Sequence, residues 1–421
     1  MQSLLLSPMT TDQQSVHSFF FSVSPGFVDL ARHELEFWVT QADPQAGARH
    51  LSTLLTFPDG IEVQLPLQLG YELNHWLKIP SRILLRWQSF RVRDFPKLYN
   101  KLRKLPWGPF CTSPTIQFVI STHSSRLKLK RKIEETCASA YQAYRKAQPA
   151  GHPHTLLPQR IFVRLVDDQC GISIDTSGEN LHRRGYRTRV TPAPLRETLA
   201  AGLLWHLRES EPPLSTTEIA LADPMVGSGT FLAEALLMNK ATPRRTFSYL
   251  HFSGPFQAAL SPNGYRKTLE HVAASQQPWK LLLGQDQNRE ALDVTAQNLH
   301  NLNLPGIWQL KHQELLATDA TDATNKILTD GTIRTWLICN PPYGERLAGR
   351  TPPQQMIKLY QRFLSQAVKI WRPERMGWVL PRGAAPALNL AGYLMRAPRK
   401  FLNGGIPVEF VVWQKKPDDS K

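Results

Sequence analysis

From Leu195 onward, short uninterrupted apolar runs that end in an acid or an amide alternate with longer stretches of helical period, a rhythm few folds accept. The runs at 219–222, 281–283 and 336–339 lead to Asp223, Asp286 and Asn340. Helical patterns occupy 195–207, 231–239, 289–301 and 356–371. The last places Met356, Leu359, Tyr360, Phe363, Leu364, Ala367, Ile370 and Trp371 on one face. Strands this apolar must be covered on both sides, so the pattern predicts an α/β fold with a mostly parallel, doubly wound sheet. In such sheets ligands sit beyond the carboxyl ends of the strands, where the three polar residues fall. Asn403-Gly404-Gly405, followed by Ile406, Val408, Phe410 and Val412 in alternation, predicts a hairpin that adds one antiparallel element.

The first half reads differently. Strands are expected at 19–23, 82–87, 115–122, 161–166 and 171–175, and helices at 28–39 and 132–147, an α+β pattern. A basic, turn-rich passage from Asp175 to Arg187 precedes Thr191-Pro-Ala-Pro194 and marks a linker near residue 190. Charge is unevenly spread. Of a net +16, the segment from Lys78 to Lys132 carries +13, with fourteen Lys or Arg against Asp94 alone. Trp87, Phe90, Tyr99 and Trp107 lie among these cations. A long field of one sign suits a phosphate backbone, and aromatic faces stack bases. Arg126, Lys128, Lys130, Arg131 and Lys132, with Arg183 and Arg184 in the linker, are the candidate RNA contacts; an isolated basic run is also what a solvated face looks like. No stretch is apolar for long enough to span a bilayer and no leader pattern opens the chain, so a soluble, cytoplasmic protein is expected. Cys111, Cys137, Cys170 and Cys339 lack metal-ligand spacing and are expected to be reduced and structural, with no metal bound.

Three features carry chemistry. Asp223-Pro224-Met225-Val226-Gly227-Ser228-Gly229-Thr230 is a glycine turn between strand and helix, which brings backbone amides close to a ligand. It lacks the Lys of a phosphate loop and the third glycine of the dinucleotide fingerprint. Asp286 is placed to accept the hydroxyls of a ribose, although capping of the following helix explains it equally well. Asn340-Pro341-Pro342-Tyr343 suits methylation of an exocyclic amine. An Asn oxygen and a proline carbonyl accept the amine hydrogens and free the lone pair for in-line attack on a methyl sulfonium, while the aromatic ring stacks on the base. That loop serves an adenine or a guanine amine alike.

These motifs, in this order, resemble the class I methyltransferases that modify amines. Leu181-His-Arg-Arg-Gly-Tyr-Arg187, Ala193-Pro-Leu-Arg-Glu-Thr-Leu-Ala200, the Asp223 turn and Asn340-Pro-Pro-Tyr-Gly-Glu-Arg-Leu347 look like the THUMP-containing RNA guanine-N2 methyltransferases, nearest the RlmL-type group acting on 23S ribosomal RNA. The resemblance runs from about Phe19 to Trp413. It implies a ferredoxin-like region (1–80), a THUMP RNA-binding domain (81–176), a linker (177–194) and a Rossmann-like methyltransferase domain (195–421). It further implies S-adenosylmethionine as cofactor, held by the Asp223 to Thr230 turn and Asp286, with Glu314 near the adenine, and ribosomal RNA as substrate. Met225-Val226 and Asn288 depart from the family pattern, which usually has a Cys in the turn and a second acid. Without the second catalytic domain of long family members, a single modification is expected. A transfer RNA enzyme, a DNA adenine enzyme and a catalytically idle RNA-binding or ribosome-assembly factor are the competing readings.

Overall fold

The computed structural model describes residues 16–111, 116–148, 159–189, 195–208, 219–243, 245–256, 264–275, 279–317, 333–343 and 352–417. Two units emerge, each assembled from separated stretches of chain. The first comprises Met1–Val23, Leu35–Leu181 and Thr246–Leu269; the second comprises Ser24–Glu34, His182–Arg245 and Glu270–Lys421. The expected boundaries are thus crossed twice, because a segment near the N-terminus joins the second unit and Thr246–Leu269 joins the first.

The first unit is built on one seven-stranded sheet of β1 (Val16–Ser22), β2 (Leu55–Phe57), β3 (Gly60–Pro66), β4 (Arg82–Arg91), β5 (Ile116–His123), β6 (Gln159–Val166) and β7 (Gln169–Asp175), in the order β2-β3-β1-β4-β7-β6-β5. Its helices are α2 (Gly47–Leu51), α3 (Leu67–Trp76), α4 (Phe95–Arg103), α5 (Lys130–Lys146) and the later part of α1 (Val28–Ala42). β4 pairs with β1 on one edge and β7 on the other, so residues 80 and 81 do not separate two sheets. β5 and β6 run parallel, as they must when α5 is the crossover between them. Two aromatics expected to stack bases are core residues: Trp87 and Trp107 are 6% and 0% exposed and pack edge to face at 5.0 Å. Trp87 points inward from β4, and Trp107, in the loop after α4, is turned in with its indole N–H donating to the Leu102 carbonyl at 2.8 Å. Two cations of the +13 segment are also interior, Lys78 donating to the carbonyls of His75 and Trp76 and Arg82 paired with buried Asp175.

The second unit carries β8 (Ile219–Asp223), β9 (Leu281–Asp286), β10 (Trp308–His312), β11 (Arg334–Cys339), β12 (Arg375–Pro381), β13 (Tyr393–Met395), β14 (Arg399–Asn403) and β15 (Ile406–Lys415). Their order is β10-β9-β8-β11-β12-β15-β13, with β14 on β15. The first five are mutually parallel and β15 enters antiparallel, the doubly wound arrangement the apolar runs require. Helices α6 (Glu197–Arg208), α7 (Thr230–Leu237), α9 (Arg289–Leu302) and α10 (Pro353–Trp371) belong to it, while α8 (Gly264–Ser275) straddles the division of the chain. On one face Tyr360, Leu364 and Ala367 of α10 join Leu337, Met376 and Trp378 in the core, as the helical spacing predicts. Among the described residues no helix is long and apolar enough to cross a membrane, and all four cysteines are buried and unbridged.

The segment Ser24–Glu34 is fastened to β14. Arg399 grips Asp29 with both terminal nitrogens (2.8 and 2.7 Å) and donates to the Gly26 carbonyl at 2.7 Å. Phe27 meets Phe401 edge to face at 5.4 Å. Gly26 has φ +86°, and a Cβ there would stand 2.8 Å from the Lys400 carbonyl oxygen, so the close approach depends on glycine.

Candidate active site

Successive strands step outward from β8 to β9 and β10, and the chain then returns to place β11 on the other side of β8. This reversal opens a crevice at the carboxyl ends of β8 and β11. Asp223 closes β8 and is 2% exposed, with its Oδ1 accepting the Met225 amide at 3.1 Å. Burial pushes its carboxyl up to about 8; the Met225 amide opposes the rise and the charge of Asp286 adds to it. The folded protein therefore keeps this proton up to about pH 8, whereas an unfolded Asp releases it near pH 4. Stability contributed by the neutral form is expected to be lost as pH rises through that window. In urea unfolding of the ligand-free protein, Asp223→Asn should flatten the decline between about pH 4 and 8; parallel profiles for parent and variant would show that the carboxyl ionises normally.

The turn after Asp223 is held from three sides. Gly227 and Gly229 have φ of 56° and 76°, and a Cβ on Gly229 would lie 2.7 Å from Cγ2 of Thr295. Thr295 Oγ1 donates to the Gly227 carbonyl at 2.8 Å, and Asn298 Nδ2 to the Ser228 carbonyl at 3.0 Å. Asp286 Oδ2 accepts the Gly227 amide and its Oδ1 the Asn288 amide, each at 2.9 Å. The capping alternative for Asp286 does not hold. Asn288 is the cap of α9, its Oδ1 accepting the Glu290 amide at 2.9 Å, and the departure from a second acid is thereby explained. Asp286 instead ties the carboxyl end of β9 to the glycine turn.

On the next strand, His312 of β10 lies in register with Asp286, and the Gln313 amide donates to the Asp286 carbonyl at 3.0 Å. Glu314, the expected adenine neighbour, is exposed. The group with a buried acceptor here is Gln313, whose Oε1 has no hydrogen-bond partner among the described residues.

Asn340 follows β11, and its Oδ1 is likewise buried without a partner among the described residues. Burying an acceptor without a hydrogen bond is costly. Its neighbours are fixed: Tyr360 of α10 donates its hydroxyl to the Pro342 carbonyl (3.1 Å), and Asn403 of β14 donates to the Tyr343 hydroxyl (2.5 Å). Tyr343 is 1% exposed, so in this structure its ring anchors the loop from inside instead of offering the open stacking face expected of it. The burial of Cys339 raises its thiol well above the ordinary range, reinforced by Asp223 and then Asp286, which gathers the ends of β8, β9 and β11 into one electrostatic neighbourhood. Gly344 to Leu347, the rest of the motif, lie outside the described residues.

From His182 to Arg189 the expected linker belongs to this unit. Arg184 is 2% exposed and pairs with Glu234 of α7 at 3.1 Å, while Tyr186 donates to the same carboxylate at 3.3 Å. It is therefore not an RNA contact; its charge is consumed inside the fold. Arg187 pairs with Glu197 (3.3 Å) and donates to Thr230 Oγ1 (2.6 Å), and Asn298 Nδ2 also reaches the Arg189 carbonyl (3.2 Å). Arg183 is exposed; residues 190–194 lie outside the described residues. The partners Glu234, Asn298 and Asn403 carry no signal in the sequence, because each acts through a residue far away in the chain, and Tyr360 shows there only as part of an apolar helix face. In the first unit Arg126, Lys128, Lys130, Arg131 and Lys132 are all exposed.

The family model described as the RMKL-like methyltransferase domain (UPF0020) matches residues 184–384. The chain is 27% identical over 421 residues, 96% of its length, to the ribosomal RNA large subunit methyltransferase K/L of Cellvibrio japonicus. It spans about half of that relative, 52% of its length. Among solved structures, a possible methylase from Clostridium difficile 630 superimposes with a TM-score of 0.72 at 21% identity, covering 97% of this chain and 100% of the other. SMU.472, a putative methyltransferase crystallised with SAH, gives 0.73 at 19% identity, with 96% and 100% covered. The fold is thus that of the class I, Rossmann-like methyltransferases.

Proposed function

We propose that this chain is an S-adenosylmethionine-dependent RNA methyltransferase that forms N2-methylguanosine in large-subunit ribosomal RNA. The observation that carries the reading is the Oδ1 of Asn340, buried with no hydrogen-bond partner among the described residues, at the carboxyl end of a strand that pairs with the strand leading to the Asp223 turn. A buried acceptor of this kind calls for an N–H donor, and an exocyclic amine supplies one. The Pro342 carbonyl is already engaged by Tyr360, so the second acceptor is assigned to the Pro341 carbonyl. Two acceptors hold both amine hydrogens, turn the nitrogen lone pair out of the ring's conjugation, and aim it along the line of attack. With a methyl donor bound, Asn340 and Pro341 would stabilise the positive charge that grows on the attacking nitrogen, until one amine proton passes to water.

The cofactor residues fit the same reading. The glycine turn presents backbone amides where a Cβ would collide, Asp286 retains lone pairs beyond the two amides it accepts, and Gln313 Oε1 is a second buried acceptor for a base amine. When bound, S-adenosylmethionine supplies the methyl group on a sulfonium cation. Asp286→Ala is expected to weaken cofactor binding about ten- to a hundredfold, the worth of hydrogen bonds to a charged group. Calorimetric titration with wild-type affinity would remove Asp286 from the cofactor site.

The K/L relatives, named as ribosomal RNA large subunit methyltransferases, support RNA over DNA; the amine acceptor rests on the Asn340 loop itself. The test is mass spectrometry of nucleosides from 23S ribosomal RNA and transfer RNA of a strain lacking the gene, with purified protein added back. Loss and restoration of N2-methylguanosine in ribosomal RNA is expected. Loss in transfer RNA alone, or restoration of a methyladenosine, would overturn the assignment.

A further inference from the structure

Eleven of the fourteen cations in the +13 segment are exposed, and the first unit holds them on a rigid surface. Lys97, Lys101 and Lys104 follow one another at helical spacing along α4. Beside them, Lys130, Arg131 and Lys132 fill the first turn of α5, where no acid stands and the helix dipole opposes their charge. The loops leading into the two helices are joined through Asp168. Its Oδ2 faces Arg93 at 3.3 Å and Arg126 at 3.7 Å, its Oδ1 accepts the Arg126 amide at 2.8 Å, and its own amide donates to Ser125. The nearby acids, Asp94, Asp167, Glu134 and Glu135, leave the surface in positive excess. Lys101 and Arg103, in the last turn of α4, suit that helix's dipole, but the cations at the start of α5 do nothing for the helix that carries them.

The aromatic rings tell which form of RNA such a surface suits. Trp87, Trp107, Phe110 and Phe118 are buried. Phe90 and Phe95, only partly buried, are each covered by an ammonium group of the same surface, Lys101 at 5.0 Å and Lys132 at 4.6 Å from the ring centres. Binding of single strands relies on open aromatic faces, whereas an RNA double helix is gripped through its phosphates and shape. We infer that the α4–α5 face docks the phosphate backbone of a double-helical RNA segment, a step that rests on the proposal that RNA is the substrate.

The test uses the full chain and two labelled RNAs of equal length, a hairpin and an unpaired strand, with fluorescence anisotropy from about 50 to 200 mM salt. The hairpin should bind at least about tenfold tighter. Lys97→Gln/Lys101→Gln/Lys104→Gln should weaken hairpin binding about tenfold or more and lower the log–log salt slope by about 2 to 3, at roughly 0.9 per lost phosphate contact. Lys128, Lys130, Arg131 and Lys132 changed together to Glu should act in the same direction. Cofactor binding by these variants should stay unchanged, which separates lost docking from lost folding. Equal affinity for the unpaired strand, an unchanged salt slope, or a tenfold loss from Tyr99→Ala, which removes the half-buried ring on α4, would overturn the inference. Docking that survives while nucleoside analysis finds no guanine methylation would instead overturn the proposed function alone.

Discussion

Asn340→Ala is expected to lower methyl transfer by about a hundred- to a thousandfold, the usual cost of losing one preorganised polar group at a reacting centre. Cofactor affinity and RNA affinity should change little, because the role proposed for the side chain is to hold the amine, not the cofactor or the phosphate backbone. Folding should not suffer either. An acceptor that has no partner in the ligand-free fold contributes nothing there, so the Ala variant is expected to be at least as stable as the parent. Single-turnover transfer with labelled cofactor, beside urea unfolding, measures both effects. Near-parent rates in the variant would take the amine contact away from Asn340, and a large loss of stability would make it a structural residue.

Glu234→Ala is expected to have the largest effect on stability. It leaves the Arg184 guanidinium buried with its counter-charge removed, at a cost of about 3–5 kcal/mol. The pair lies between the His182–Arg189 strap and the first helix after the glycine turn, so the loss should also weaken cofactor binding. Removing both charges, in Arg184→Met/Glu234→Leu, should recover most of the stability, since a buried ion pair and well-packed apolar side chains are often nearly equivalent. Denaturant midpoints of the three proteins decide this. If Glu234→Ala unfolds like the parent, the carboxylate is not what neutralises Arg184.

Where one physical requirement acts locally, the chain could be read directly. The strands ending at Asp223, Asp286 and Asn340 were legible because a central parallel strand is apolar on both faces, and the α10 face because its period is that of a helix. β3 and α3 passed unnoticed: Gly60–Pro66 is short and partly polar, and α3 buries Glu72 and Asn74, which look like surface residues until their partners are known. Glu72 answers Arg266, and Asn74 answers Ser177 and Thr176. The same blindness explains Arg184. A run of cations shows its charge in the sequence, but whether that charge meets phosphate or an internal carboxylate depends on a residue such as Glu234, reached only through the fold. At the candidate site the strand-end motifs were legible, while Gln313 and the residues that fasten the loops, Thr295, Asn298 and Asn403, were not.

The clasp between Asp29 and Arg399 spans 370 residues of sequence, and it bears on how the polypeptide is made. Synthesis delivers the segment around Asp29 long before β14, to which that segment is fastened. β14 also carries Asn403, which secures Tyr343. Closing so long a loop is slow, and domains that finish early do not wait for one another unless a shared piece compels it. Here Ser24–Glu34 is such a piece. A catalytic fragment begun at His182 would lack it, leaving Phe401 without Phe27 and Arg399 without its carboxylate. On the ribosome, the clasp on β14 can form only when residues that emerge early meet a strand that emerges late.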